Sequence, residues 1–167
     1  MPRVYLSLGS NIDPRRHLAA ALDALAAHFG ALALSPVYEN LAVGFIGDNF
    51  LNLVVGIDTG LAVGELAREL RAIEDANQRQ RGAAKFCSRT LDIDILTHGD
   101  SLGVIDGVQL PRDEILRYAF VLRPLADLAP DVLHPGLHIP YRQLAAELCL
   151  PDQPLWRVPF AWPTAGP

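Results

Sequence analysis

Residues 90–97 read TLDIDILT, and their alternation decides the fold. Leu91, Ile93 and Ile95 take one side and Asp92 and Asp94 the other, the period-two pattern of a half-buried strand. Before it, residues 79–89 (RQRGAAKFCSR) hold four cations, no acid and no periodicity, which predicts a basic loop. Before that loop, Leu66, Leu70 and Ile73 mark one face of a helix over Val63–Asn77. A strand is expected over Phe50–Asp58 and another over Leu32–Glu39, joined by the loop 40–50. The chain opens with a strand over Arg3–Leu8 and a turn at Gly9-Ser10-Asn11. A helix then starts at Asp13-Pro14, with Asp13 as N-cap and Pro14 at the first helical position. Its apolar face is Leu18, Leu22, Leu25 and Phe29, and Gly30 stops it.

The order β-α-β-β-α-β is the ferredoxin-like arrangement, an α+β fold with an antiparallel sheet and its first two helices on one face. A short strand near Val108–Pro111 and helices near Tyr118–Leu128 and Tyr141–Leu148 complete the body. Residues 1–150 are expected as one domain. From Pro151 five prolines in 17 residues predict an extended tail, 151–167, along the surface.

Composition narrows the function. At 167 residues, 50% hydrophobic and 20% charged, the chain is an ordinary globular domain. A net charge of −5 argues against nucleic acid as a non-specific partner. MPRVYLSLGSN lacks the apolar core of an export signal, and no apolar run is long enough to span a membrane, so a cytoplasmic protein is expected. Cys87 and Cys149 are too few for a disulfide scaffold. His134 and His138 sit in HPGLH, where proline and glycine break any shared helical face, so no histidine metal site is expected.

Three groups of residues carry chemistry. Asp92 and Asp94, about 6–7 Å apart along one strand face, form an oxygen-rich pair suited to Mg²⁺ with substrate phosphates. An isolated pair of this kind is usually a wet strand face; the cations beside it point to polyphosphate. Arg79, Arg81, Lys85 and Arg89 are an uncompensated cluster in an acidic chain, and arginine forks bind phosphate oxygens bidentately. Phe50 and Phe120 together suit a flat heterocycle whose edge Asn52 reads, although either phenylalanine taken alone reads as core.

The segments VYLSLGSNIDPRRHL (4–18), SPVYEN (35–40), FLNLVV (50–55), RTLDIDIL (89–96) and FVLRPLADLAP (120–130), in this order, resemble the 6-hydroxymethyl-7,8-dihydropterin pyrophosphokinase family. The resemblance covers about residues 3–150. It implies an ATP-dependent enzyme of folate biosynthesis with two Mg²⁺. The enzyme would transfer diphosphate to the 6-hydroxymethyl oxygen of a reduced pterin and release AMP. Asp92 and Asp94 match the metal aspartates. Arg79 and Arg89 match catalytic arginines on the phosphates, and Glu74, Lys85, Ile95 and Arg112 fall with them on the ATP side. Asn52 matches the pterin-reading asparagine, Phe50 and Phe120 the stacking pair, and Asn40, Leu41 and Val43 the loop lining the pterin pocket. The expected partners are ATP and the pterin, with no nucleic acid or membrane, and the expected state is a monomer.

The chain departs from the family at several positions. Phe86, Cys87 and Ser88 replace a tryptophan, small residue and proline, Arg112 replaces a histidine, and Tyr118 stands where an arginine is common. Arg112 and Arg117 are expected to restore the lost positive charge. Two rival readings follow: a paralogue with altered or weak activity, and a ferredoxin-like RNA-binding or regulatory module.

Overall fold

The structure is a computed structural model and describes residues 1–42, 47–78, 90–148, 150 and 152–163. Its elements are β1 (Arg3–Ser10), α1 (Pro14–Phe29), β2 (Ala33–Leu34), β3 (Val37–Asn40), β4 (Phe50–Asp58), α2 (Val63–Ala76), β5 (Asp92–His98), β6 (Gly103–Ile105), β7 (Val108–Leu110), α3 (Ala119–Leu128), α4 (Tyr141–Leu148) and β8 (Leu155–Val158). The main sheet runs β5-β1-β4-β3-β8, with β2 also on β4, and its pairs are antiparallel. This is the expected α+β architecture.

Period-two patterning sorts the core onto two faces. Leu6 and Leu8 of β1, Leu53 and Val55 of β4, and Ile93 and Ile95 of β5 pack with Leu22 of α1 and Leu66 of α2. Tyr5, Val54 and Leu96 pack on the other face with Leu122 of α3 and Tyr141 of α4. Leu96 falls on the second face by the same alternation, and β5 bulges at that point, since Ile95 pairs Leu6 and Thr97 pairs Tyr5. One strand therefore feeds both cores.

Several expectations change. Gly9 and Ser10 are not a turn; β1 continues through Ser10 and stays paired to Asn52 and Leu51. Asp13 precedes α1 in the left-handed region (φ 45°), and its side chain caps no backbone N–H. Its carboxylate pairs with Arg16 at 2.9 Å instead. Gly30 does close α1, at φ 79°, donating to the Ala26 carbonyl at 2.9 Å.

The expected strand over Leu32–Glu39 is two strands. Pro36 offers no N–H to a ladder, and Ser35 bridges the break by accepting from the Val54 N–H at 2.8 Å through its hydroxyl. β7 has a partner that the sequence reading lacks: β6, across the turn Asp106-Gly107, both at positive φ. The segment after Pro151 is extended as expected, but Leu155–Val158 is a strand of the main sheet, paired with Asn40–Val37.

Candidate active site

The side chains of Asp92 and Asp94 lie on the sheet face opposite Ile93 and Ile95, by the alternation of β5. Register fixes what stands beside them. Gly9 of β1 pairs with Asp92 on one side and with Asn52 of β4 on the other. Asp92, Gly9 and Asn52 thus form one row across three strands, two strand spacings or about 9.5 Å wide. Gly9 is in the row because nothing larger fits. A Cβ there would stand 2.6 Å from Asn52 Oδ1. Asn52 is buried and donates from Nδ2 to Asn40 Oδ1, while Asn40 Nδ2 donates to the Leu41 carbonyl at 3.0 Å.

The carboxylate pair is electrostatically loaded. Burial, and then the neighbouring Asp92, push the Asp94 carboxyl well above the usual carboxylate range. Arg112 opposes this from 3.6 Å, but it also pairs with Glu114 at 3.2 Å. Burial pulls the Arg112 guanidinium down, and Asp94, Glu114 and Asp92 together hold it above its ordinary value. Its Nε is buried with no hydrogen-bond partner among the described residues. The site therefore offers a carboxylate pair, Asp94 of which is pushed toward its neutral form, beside a buried arginine N–H that no described residue engages.

β5 is an edge strand of the main sheet, and a cleft of about 690 Å³ opens between it, α2 and the β6–β7 hairpin. Glu74 reaches across from α2 and accepts the Ile93 N–H at 2.8 Å, which anchors the strand that carries both aspartates. Ile95 lines the cleft, as do Arg68 and Arg71 of α2 and Arg112. Asp106 at the hairpin tip accepts the Gly64 N–H at 2.9 Å and ties the hairpin to the start of α2. Arg117 is placed elsewhere: it is exposed and pairs with Asp113 at 2.9 Å, so of the two arginines expected to restore charge only Arg112 lines the cleft.

A second cavity, about 280 Å³, is lined by Asn40, Leu41 and Ala42, by Tyr118 and Phe120, and by residues 152–155. Phe120 stacks on Tyr118, ring centres 5.0 Å apart and 15° from parallel. Tyr118 thus belongs to the wall of this cavity and does not line the cleft beside Asp92 and Asp94. Phe50 begins β4 opposite Asn40.

The structure brings together Asp92, Asp94, Glu74, Ile95 and Arg112 around the cleft, and Asn40, Leu41 and Phe120 around the second cavity, with Asn52 bonded to Asn40. Val43, Arg79, Arg81, Lys85, Phe86 and Arg89 lie outside the described residues. The sequence reading missed Gly9, Arg68, Arg71, Asp106 and Gln153. Only Gly9 carried a local signal, a glycine at the end of an alternating strand pattern, which marks a bulge or a close approach.

Comparison with known proteins bears on this arrangement. The model of the family described as 7,8-dihydro-6-hydroxymethylpterin-pyrophosphokinase (HPPK) matches residues 5–130. A 2-amino-4-hydroxy-6-hydroxymethyldihydropteridine pyrophosphokinase of Pseudomonas aeruginosa is 41% identical over 143 residues, covering 83% of this chain and 88% of that protein. The Aquifex aeolicus protein of the same name is 31% identical over 150 residues, covering 88% and 92%. A crystal structure of Plasmodium falciparum HPPK-DHPS with pterin and p-hydroxybenzoate superposes with a TM-score of 0.70 at 16% identity, over 87% of this chain and 43% of that one. That likeness concerns the fold, and the chain spans less than half of the Plasmodium protein's length.

Proposed function

This chain belongs to the 7,8-dihydro-6-hydroxymethylpterin-pyrophosphokinase family, and from that premise we propose how its own residues carry the reaction. It is a pyrophosphokinase of folate biosynthesis, and ATP is its co-substrate. The 6-hydroxymethyl oxygen of the reduced pterin attacks the β-phosphorus of ATP. An oxygen–phosphorus bond forms, the bond from that phosphorus to the α–β bridging oxygen breaks, AMP leaves with the electron pair, and the hydroxyl proton passes to solvent water.

The row Asp92–Gly9–Asn52 is the observation that carries this reading. It sets the Asp92 carboxylate and the Asn52 amide on one sheet face, about 9.5 Å apart across two strand spacings, which supports a phosphate role for the first and a heterocycle role for the second. The β-phosphoryl group of ATP and the hydroxymethyl arm of the pterin meet over Gly9, where no side chain intervenes. The cleft between α2 and β5 takes the nucleotide, with Ile95 against the base or ribose and Arg112 on the phosphates. Asn52 and Asn40 read the donor–acceptor edge of the pterin, and Leu41 and Phe120 cover its faces. Arg79, Lys85 and Arg89 supply further phosphate contacts and Val43 and Phe50 further pterin contacts in the same reading. It is the chemistry of the residue types, together with the resemblance, that supports these assignments.

Asp92 and Asp94 fit Mg²⁺. Two carboxylates on one face, one of them strained toward its neutral form by burial and by its neighbour, are a donor set that a divalent cation satisfies. Asp92 and Asp94 would hold the ion together with phosphate oxygens of the nucleotide and water, the ligands Mg²⁺ favours. Bound there, Mg²⁺ supplies neutralisation of phosphate charge. Arg112 supplies a guanidinium that holds its charge at any pH the protein tolerates.

The test is AMP formation by the purified chain with ATP, Mg²⁺ and 6-hydroxymethyl-7,8-dihydropterin. Stoichiometric AMP and pterin diphosphate are expected. AMP formation that does not depend on the pterin, or its absence at saturating substrates, overturns the reading.

A further inference from the structure

The C-terminal segment has no part in the reaction as described so far, yet it forms a wall of the second cavity. Asp152, Gln153, Pro154 and Leu155 face Asn40 and Leu41 on one side and Tyr118 and Phe120 on the other. At about 280 Å³ the space sits near the lower end, roughly 300 Å³, of small-molecule pockets.

Gln153 links this wall to α3. Its Oε1 accepts the Ala119 N–H at 2.8 Å, and its Nε2 donates to the Arg117 carbonyl at 2.9 Å. The first N–H groups of a helix have no partner within the helix. Tyr118, at the N-cap position, makes no side-chain cap bond. The cap of α3 therefore comes from a residue 34 positions further along the chain. What it holds is the turn that carries Tyr118 and Phe120, the stacked pair lining the cavity.

The segment is fixed from the other side as well. β8 pairs with β3, which ends at Asn40. Trp156 donates to Glu39 at 2.8 Å, and Arg157 reaches Asp127 of α3 at 3.3 Å. The chain thus runs as a strap from the asparagine end of β3 to the aromatic end of α3.

We propose that Gln153 is a positioning residue for the pterin, and that Asp152–Leu155 form the third wall of its pocket. Gln153 sets the first turn of α3 and with it the distance between Phe120 and Asn40. The proposal rests on the reading that Asn40, Asn52 and Phe120 serve the pterin.

Calorimetry of 6-hydroxymethylpterin binding in the presence of a non-hydrolysable ATP analogue tests it, with the analogue titrated alone beside it. Gln153→Ala is expected to weaken pterin binding roughly fivefold or more, the loss of about one good hydrogen bond, while the analogue binds as in wild type. Gln153→Glu keeps the acceptor for the Ala119 N–H, next to a helix N-terminus that favours negative charge. It is expected to recover pterin affinity to within about twofold, since the acceptor bond is the one that caps α3. Both tryptophans, Trp156 and Trp162, lie in the strap, so their emission reports whether it stays docked. If Gln153→Ala undocks it, weakened pterin binding with unchanged analogue binding supports the third wall. Wild-type pterin affinity in Gln153→Ala, docked or not, overturns the proposal, as does equal weakening of both ligands. Asn52→Ala separates the premises: if it weakens pterin binding and Gln153→Ala does not, only this proposal fails. If neither variant has an effect, the pterin-pocket reading fails too.

Discussion

Replacing Gly9 by alanine puts one methyl group where the two halves of the site meet. The added Cβ would stand 2.6 Å from Asn52 Oδ1, against an ordinary contact of 3.4 Å or more, so the amide must retreat by about 0.8 Å. It has little freedom to do so, because Asn52 is 4% exposed and its Nδ2 donates to Asn40. Breaking that pairing leaves a buried polar group unsatisfied, at a cost of about 1–3 kcal/mol. Since 1.4 kcal/mol is a factor of ten, pterin affinity should fall by roughly 5- to 150-fold. Fold stability should fall as well, because the group left unpaired is buried in the protein itself. Gly→Ala lowers the entropy of the unfolded chain and offsets part of the strain, by about 0.4–1 kcal/mol where the backbone suits alanine. Gly9 lies in an extended strand, outside the positive-φ set.

The assay is calorimetry of 6-hydroxymethylpterin with a non-hydrolysable ATP analogue, run as a double-mutant cycle with Asn52→Ala. In the Asn52→Ala background the obstructing oxygen is gone, so Gly9→Ala should cost almost nothing there. The coupling between the two changes should then equal nearly the whole effect of the single substitution. Wild-type affinity in Gly9→Ala, or the same loss in both backgrounds, would refute the steric argument and with it the placement of the pterin edge at Asn52.

Three further outcomes are expected. Asp94→Ala should lose turnover by roughly a thousandfold or more, several kcal/mol of transition-state charge stabilisation. Its melting temperature without divalent cation should match or exceed wild type, because burial and Asp92 already disfavour that carboxylate; near wild-type turnover in saturating Mg²⁺ would remove Asp94 from the site. Arg112→Ala should weaken the ATP analogue by about 1.5–3 kcal/mol, the range for a hydrogen bond to a charged group, with little effect on pterin. Arg112→His should recover part of the loss, and equal analogue affinity in all three proteins would exclude the phosphate contact. His134 is buried, accepts the Gly136 and Leu137 N–H groups at 3.1 Å through Nδ1, and has its pKa lowered by burial and then by His138. The folded state thus favours the neutral ring, so the stability it contributes is present above about pH 6.5 and is lost as pH falls through the lowered folded value. Melting curves from pH 7.5 to 5 should fall more steeply for wild type than for His134→Ala, and parallel slopes would contradict this.

What the sequence disclosed about the site follows from how far each residue acts along the chain. Asp92 and Asp94 were legible because a strand's period of two places them together without reference to anything else. The helices α1 and α2 were legible from apolar spacing alone, and Phe50–Asp58 coincides with β4 to the residue. The errors arise where a distant partner decides. Gly9 reads as a turn by residue type, yet β4 and β5 hold it extended on both sides. Pro36 splits a strand whose alternation looks continuous, because the ladder needs an N–H that proline lacks. A tail with five prolines reads as unpaired, yet Leu155–Val158, the stretch between Pro154 and Pro159, contains none and can ladder with β3.

The same distance rule explains which bonds were overlooked. Glu74 holds β5 from 19 positions away, Gln153 caps α3 from 34, and Asp106 ties the hairpin to α2 from 42. None of these bonds has a local pattern, since any glutamate, glutamine or aspartate would look the same in sequence. Each satisfies a backbone N–H that its own element leaves open: an edge strand in the first case and a helix start in the other two. Such open donors can be inferred from the fold before their partners are known. Once β5 is recognised as an edge and α3 as a helix without a local cap, a side chain must arrive from elsewhere to meet them. The residues that arrive here stand at the cleft and at the second cavity. Supporting the backbone and shaping the site are thus one task for Glu74 and Gln153, and substituting either should show in binding before it shows in stability.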